Sequence, residues 1–175
     1  MSQITTCTFF KVSSFSNKWW AFKQMQLGHV AQADARWRIY AFTGKADTGH
    51  QGSAIHKLAE WLEKNSQSPV VKHTRKGEDI DAVIDVRFVF QQTFDQLTYE
   101  NMSSLLKPQT GSLGLQDHGK VFCVDHKGLG DIFDMRGINR DQGCLIVVRP
   151  DQYVAHVLPL DGCEELSAYF AGVLL

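Results

Sequence analysis

The stretch from Cys144 to Asp161 reads CLIVVRPDQYVAHVLPLD and decides how the second half of the chain folds. An apolar run ends at Arg149-Pro150-Asp151-Gln152, and a second apolar run begins directly after it. Proline is favoured at the second position of a β-turn and has no place inside a central strand, because it lacks an N–H donor. The stretch therefore predicts two antiparallel strands, residues 145–148 and 153–158, joined by a tight turn.

The segments upstream supply a β-α-β unit. Residues 37–42 (WRIYAF) and 80–90 (IDAVIDVRFVF) have the composition and alternation of strands, and residues 53–65 carry apolar side chains at helical spacing with Ser53 as the N-cap. We also predict a helix over 93–106, a short strand over 121–124 and a C-terminal helix over 164–175. This order predicts an α/β fold: a thioredoxin-like mixed sheet flanked by helices, with a late β-hairpin and a C-terminal helix.

The bulk properties exclude several classes of protein. The 175 residues suit one domain, and a net charge of −1 gives no general attraction to nucleic acid or an anionic membrane. No apolar run approaches the roughly 20 residues that a membrane span requires, and the N-terminus does not read as a signal peptide. Four widely spaced cysteines without a C-x-x-C motif suit a reducing compartment, so we expect a cytoplasmic location.

Possible ligand sites all have a simpler explanation. The glycine pairs Gly111/Gly114 and Gly128/Gly130 do not follow the strand-to-helix order of a dinucleotide loop, so turns with positive φ are expected. A metal site could in principle be assembled from three places, although the spacing favours polar turns and we predict no metal; these places are Asp117-His118, Cys123 and Asp125-His126.

Candidate catalytic groups are equally weak. His156 is close in sequence to Asp151, but on a strand it shares a face with Val154 and Leu158, which predicts a half-buried, hydrogen-bonded histidine. The carboxylates of residues 79, 81 and 85 lie near Arg87, and solvated or salt-bridged side chains are the simpler interpretation.

The same C-terminal stretch nevertheless resembles a known family. It is similar to the end of the flavin-dependent aromatic hydroxylases, in the group of phenol 2-monooxygenase and 3-hydroxybenzoate 4-monooxygenase. Three more stretches agree in the same order, QLGHVAQADARWRIYAF at 26–42, DIDAVIDVRFVFQQ at 79–92 and KVFCVDHKGLGDIFDMRGINRDQGC at 120–144. The resemblance covers about 150 residues, and several separate stretches carry it.

The resemblance implies a thioredoxin-like domain without redox cysteines that is associated with subunit contacts. In such enzymes FAD is held by other domains, whose motifs have no counterpart here, so we expect no FAD in this chain and carry over no catalytic residue. The expected division is a divergent N-terminal extension at residues 1–24 and the thioredoxin-like domain at residues 25–175. A truncated, misread or split gene would explain a detached C-terminal domain.

Three hypotheses for function follow. The first is a non-catalytic assembly domain that forms a homodimer, with exposed aromatic residues as interface candidates: Trp61 and Tyr153, together with Trp19 and Trp20. The second is a thiol-based redox or peroxide-reducing protein, for which Cys163 at the start of the last helix is the one candidate. The third is a binding module that docks on a separately encoded flavin domain.

Overall fold

A computed structural model describes residues 11–14, 23–93, 96–97, 100, 102–124 and 131–174. Its strands are β1 (Lys11–Ser14), β2 (Lys23–Gln26), β3 (Trp37–Phe42), β4 (Ile84–Phe90), β5 (Gln109–Thr110), β6 (Leu115–Gln116), β7 (Val121–Val124), β8 (Cys144–Val148) and β9 (Val154–Leu158). Seven of these form one sheet in the order β2-β1-β7-β4-β3-β8-β9, and β5 pairs with β6 in a separate hairpin.

The centre of the sheet is parallel, as the β-α-β pattern predicts. Strand β3 runs parallel to β4, and β4 runs parallel to β7. Strand β8 lies antiparallel on the other side of β3, with Ile39 opposite Val147. All seven residues of β4 are buried, because helices cover the sheet on both faces.

The hairpin predicted from residues 144–161 is confirmed. Strand β9 pairs antiparallel with β8, and its register shifts between Val147 and Val148. The Gln152 amide donates to the Arg149 carbonyl at 2.9 Å, which closes the turn over Pro150, and Gln152 has φ 68°. This left-handed residue after a β-turn is the usual ending of a three-residue hairpin loop.

Five α-helices lie among the described residues, together with a 3₁₀ turn whose bounds are described. They are α1 (Leu27–Val30), α2 (Ala54–Lys64), α3 (Pro69–His73), the 3₁₀ turn (Ser104–Leu106), α4 (Ile132–Arg136) and α5 (Cys163–Ala171). Apolar side chains of α2, α3 and α5 pack on one face of the sheet around Ile39, Phe88 and Leu145. Side chains of α1 and α4 pack on the opposite face around Tyr40 and Phe122.

Side chains cap the N-terminus of helix α2. Ser53 is its N-cap, and the Ser53 hydroxyl accepts from the His56 amide at 3.2 Å. The buried carboxylate of Asp47 accepts from the amides of Ile55 and Gly49, each at 2.8 Å. Two side chains thus satisfy donors that the first turn of a helix leaves free.

Several predicted boundaries are wrong. Strand β4 begins at Ile84 and not at residue 80, because residues 79–82 turn, with the Ala82 amide bonded to the Asp79 carbonyl at 2.9 Å. The helix predicted over 93–106 is not a continuous element, because Leu97, Met102 and Ser103 lie outside any helix; the described residues there are in 3₁₀ conformation at Gln96, Glu100 and Ser104–Leu106. Helix α5 ends at Ala171. The five-residue helices α3 and α4 were not predicted, since each is too short to show a period.

Candidate functional site

A cluster of charged side chains lies buried at the start of the parallel strands. Asp85 on β4 is fully buried, and Lys120, just before β7, contacts its Oδ1 at 2.6 Å. Arg87 contacts the other oxygen of Asp85 at 2.7 Å, and Lys120 also reaches Asp81 at 2.5 Å. We call this set the buried ion cluster; its members are Asp34, Arg36, Arg38, Asp81, Asp85, Arg87, Asp117 and Lys120.

The charges of the cluster hold one another in the ionised form. Burial alone would raise the pKa of Asp85, but the charges and hydrogen bonds of Lys120 and Arg87 outweigh it and lower that pKa. Burial likewise opposes the charge of Lys120, while Asp85 and Asp81 raise its pKa above the ordinary value. A carboxylate that accepts several such bonds is a poor proton acceptor, as expected of a salt-bridged structural group.

The expected interpretation of these carboxylates is partly confirmed. Asp81 and Asp85 are salt-bridged, but they are buried and not solvated. Asp79 is exposed, and its carboxylate accepts from the Gly111 amide at 2.9 Å. Lys120 was not predicted as their partner, because a lysine between a glycine and a strand carries no local signal.

A groove lies between α2 and the connection from β9 to α5. It encloses about 720 Å³ and is lined by Lys57, Trp61, Pro159, Leu160 and Cys163, among others. Trp61 is half-buried and also packs against the main core, and Lys57 and Asp161 are the charged groups of the lining. A smaller groove lined by Asp47 and His50 lies beside it and shares Ala54, Gln142 and Leu160.

The thiol of Cys163 lies at the start of α5, as predicted, but its surroundings are acidic. Burial raises the pKa of the Cys163 thiol, and the charges of Asp161 and Glu164 raise it further, against a lowering by its own backbone amide. A reactive cysteine requires the opposite shift. Burial raises the pKa of Cys144 on β8 to about 11, and Cys123 is buried on β7. Cys7 lies outside the described residues.

His156 is half-buried and hydrogen-bonded as predicted, but it shares a sheet face with Leu158 only, because the bulge at Ala155 puts Val154 on the opposite face. Its Nε2 lies 3.1 Å from Glu165 Oε1 on α5, its side chain is half-buried, and its ring lies 5.2 Å from that of Tyr169. Asp151 takes no part, because it pairs with Arg149 at 2.6 Å in the exposed turn. The contact of His156 with Glu165 thus links β9 to α5.

The interface candidates lie on different parts of the surface. Tyr153 is 59% exposed and precedes β9 at the hairpin turn, whereas Trp61 lines the groove beyond the other end of β9. Trp19 and Trp20 lie outside the described residues. Five further large apolar side chains of the described residues are exposed and were not predicted as interface candidates: Leu113 and Leu115 at the β5–β6 hairpin, Met135, Val157 on β9, and Val173.

The remaining candidates give no ligand site in the described part of the chain. Gly111 and Gly114 have φ 73° and 59° in the turn between β5 and β6, as expected of a turn. No group of three His, Cys, Asp or Glu residues that could hold a metal ion occurs among the residues described. Asp125, His126, Gly128 and Gly130 lie outside them.

A protein-family model matches nearly the whole chain. The model of the phenol hydroxylase C-terminal dimerisation domain matches residues 10–175. The chain belongs to this family. The match confirms the resemblance stated from the sequence. It begins ahead of the predicted boundary between residues 24 and 25, and the division of the chain at that boundary stays a prediction.

Relatives of known activity align over the same region. A 3-hydroxybenzoate 4-monooxygenase from Comamonas testosteroni is 48% identical over 149 residues, which are 85% of this chain and 23% of that enzyme. An FAD-dependent monooxygenase from Aspergillus terreus is 30% identical over 151 residues, which are 85% of this chain and 24% of that protein. The chain thus spans about a quarter of the length of the curated relatives it matches.

Solved structures confirm the thioredoxin-like fold. The thioredoxin domain of a thiol-disulfide oxidoreductase from Bacteroides vulgatus superposes with a TM-score of 0.56 at 8% identity, over 100% of this chain and 99% of that one. A reduced 2-Cys peroxiredoxin from Plasmodium vivax gives a TM-score of 0.50 at 12% identity, over 96% of this chain and 93% of that one. Among the helices that the structure describes, none is long and apolar enough to cross a bilayer.

Proposed function

We propose that the chain is a non-catalytic assembly domain that joins two copies of a flavin-dependent aromatic hydroxylase into a homodimer. The observation that carries the proposal is the match of residues 10–175 to a dimerisation domain of phenol hydroxylase. The relative at 48% identity, a 3-hydroxybenzoate 4-monooxygenase, supports a hydroxylated aromatic acid as the substrate class of the whole enzyme.

The described residues do not fit FAD, so the proposal places the cofactor in other domains of such an enzyme. A dinucleotide pyrophosphate binds at the N-terminus of the helix that follows the first strand of a β-α-β unit, where free amides point at it. Helix α2 has that position after β3, but the Asp47 carboxylate already accepts from the Ile55 amide there at 2.8 Å. A second anion at this point would meet a negative charge instead of free donors.

The acidic surroundings of Cys163 also favour an assembly role over thiol chemistry. A peroxide-reducing or disulfide-exchanging cysteine is used as the thiolate, and in this chain burial and two carboxylates hold Cys163 in the protonated form. The thioredoxin-like fold would then serve as a scaffold for contacts between subunits.

Copurification of two tagged copies tests the proposal. Two versions of the full chain, each with a different affinity tag, are coexpressed and captured through one tag. We expect the second tag to be recovered in near-equal amount and the pure protein to show no visible flavin absorbance. Recovery of the second tag at the level of an unrelated tagged protein would contradict the dimer.

The same capture experiment distinguishes a second copy of the chain from a flavin domain as the binding partner. The flavin-containing part of the Comamonas relative, expressed without its C-terminal domain, replaces the second copy as prey. Capture of that part together with failure to capture a second copy would favour docking on a flavin domain over self-association.

A further inference from the structure

Strand β9 (Val154–Leu158) is the last strand of the sheet, and its outer edge has no partner among the described residues. Its pairing partner is β8, on one side only. A terminal strand presents a row of free N–H and C=O groups on its outer side, which another chain can pair with. The edge of β9 is therefore a template for a further strand.

Proteins usually protect such an edge with lysine, proline or a charged side chain that points inward. The sequence of β9 is VAHVL, which contains none of these, and Pro159 stands only after its last residue. The β9 edge therefore lacks these three protections, and the irregularity in its pairing with β8, at Ala155, is the one such device it carries.

Exposed apolar side chains accompany the β9 edge. Val157 is 45% exposed and lies opposite Ile146 of β8 on the sheet face that α1 and α4 cover elsewhere. Ile146 and Val154 beside it are only half-buried, and Tyr153 just before the strand is 59% exposed. Together these side chains form an apolar stripe, which we call the β9 stripe: Ile146, Tyr153, Val154 and Val157.

The charged groups near the stripe are already paired. Arg149 and Asp151 contact each other at 2.6 Å in the turn, and His156 contacts Glu165 at 3.1 Å on the α5 side of the sheet. Bringing another surface onto the stripe would therefore not bury an uncompensated charge, which is the usual obstacle to association. The β9 stripe itself is thus apolar, and the charges beside it are compensated.

We propose that two copies of the chain pair through β9, edge to edge and antiparallel about a two-fold axis, with the β9 stripe packed across the junction. The identity of the occupant rests on the proposed function, which makes it a second copy. A strand paired antiparallel with its own copy forms a closed, isologous contact, and closed two-fold dimers are the commonest oligomers. The pairing would join the two sheets into one continuous sheet.

A matched pair of variants tests the location of the contact. Val157→Lys places a charge on the β9 stripe, and Leu113→Lys places the same charge on the β5–β6 hairpin, where Leu113 is 81% exposed. Both sites are exposed, so neither change disturbs the core. We expect Val157→Lys to weaken the dimer about 100-fold in dissociation constant, because it buries an unpaired charge, and Leu113→Lys to leave it unchanged. Sedimentation velocity over a dilution series measures both.

Hydrogen exchange gives a second, independent readout on the unmodified chain. We expect the amides of residues 153–158 to exchange more slowly as the protein concentration rises, because the outer donors of β9 become bonded. A wild-type dimer that Val157→Lys does not weaken, or β9 amides whose exchange is independent of concentration in a dimer, would overturn the β9 contact and leave the proposed function standing. A chain that is monomeric at every concentration would overturn both.

Discussion

At the scale of single residues, Asp85 shows how this fold keeps a charge in its interior. Its carboxylate is fully buried, and Lys120 and Arg87 contact its two oxygens at 2.6 and 2.7 Å. Removing the Asp85 charge takes from Arg87 its carboxylate contact and from Lys120 one of three, and such a loss inside a buried set costs about 3 to 5 kcal/mol. We therefore expect Asp85→Asn to lower the free energy of unfolding by that amount in urea titrations.

The control for Asp85 is an exposed ion pair of the same chain. Glu60 and Lys64 contact each other at 2.9 Å on the outside of α2, with 45% and 65% of their side chains exposed. Glu60→Gln should leave the free energy of unfolding almost unchanged, because exposed ion pairs are screened by solvent. Equal losses of unfolding free energy in the two variants would show that burial does not increase the cost of removing a charge from the cluster.

The pH dependence of stability follows from the same carboxylates. Partial burial alone would raise the pKa of Asp34, but Arg36 and Arg38 lower it to about 2, and the pKa of Asp85 is lowered as well. Both groups have pKa values near 4 when unfolded, so their contribution is complete above about pH 5 and is lost as the pH falls towards 2.

We therefore expect the urea midpoint to be level near neutral pH and to fall below about pH 4.5. Asp34→Asn should lower the midpoint at pH 7 and make the acid-side fall shallower, since one of the groups responsible is gone. An unchanged acid slope in the variant would show that the pKa of Asp34 is not shifted by folding.

The alternative hypothesis, in which Cys163 is a reactive thiol, can be tested directly on that residue. Burial and the charges of Asp161 and Glu164 raise its pKa, and burial raises that of Cys144 to about 11. We expect alkylation of Cys163 to be slow at pH 7 and to accelerate only above about pH 9, as measured by mass spectrometry of labelled peptides. Rapid labelling at pH 6 to 7 would instead support the thiol-based alternative.

At the scale of elements, Gly143 lets β8 begin directly against the end of β3. It has φ 67°, and a Cβ at this position would overlap the Phe42 carbonyl oxygen and lie 3.0 Å from the Gly44 nitrogen. Gly143→Ala must therefore shift backbone as well as adopt a left-handed conformation, and we expect it to cost more than about 3 kcal/mol.

Gly52 is the matched control for Gly143. It has φ 83°, but a Cβ there would meet nothing within 4 Å, so Gly52→Ala should pay only the backbone strain of about 1 to 2 kcal/mol. Thermal and urea unfolding of the two variants would measure the difference. Similar losses would show that the close contact between the start of β8 and the end of β3 can accommodate a side chain at residue 143.

The elements that could be predicted from sequence are those with a strong local pattern. The WRIYAF strand, α2 and the RPDQ turn have compositions that fix their conformation locally, so they were predicted correctly. Residues 93–106 contain helix formers without a helical stripe, and there the prediction of a helix was wrong. The salt-bridged carboxylates of β4 were expected, but their burial and their partner Lys120 depend on a crossover that joins residues 35 apart, which no local pattern records.

At the scale of the whole molecule, the chain belongs to the phenol hydroxylase dimerisation family and has a thioredoxin-like fold, and its sequence contains no C-x-x-C motif. The helix end that would receive a phosphate is capped by Asp47, the cysteine at the start of α5 lies among carboxylates, and β9 leaves an apolar edge. Each of these features suits a scaffold for subunit contact better than a catalyst.

The central claim is that the chain associates with itself, and sedimentation equilibrium tests it most directly. The purified chain has a mass of 19.7 kDa as a monomer. The account predicts a mass of twice 19.7 kDa at high concentration, with dissociation on dilution described by a single monomer–dimer equilibrium. A mass of 19.7 kDa at every concentration up to about 1 mM, where even a contact of about 4 kcal/mol would be half formed, would contradict it.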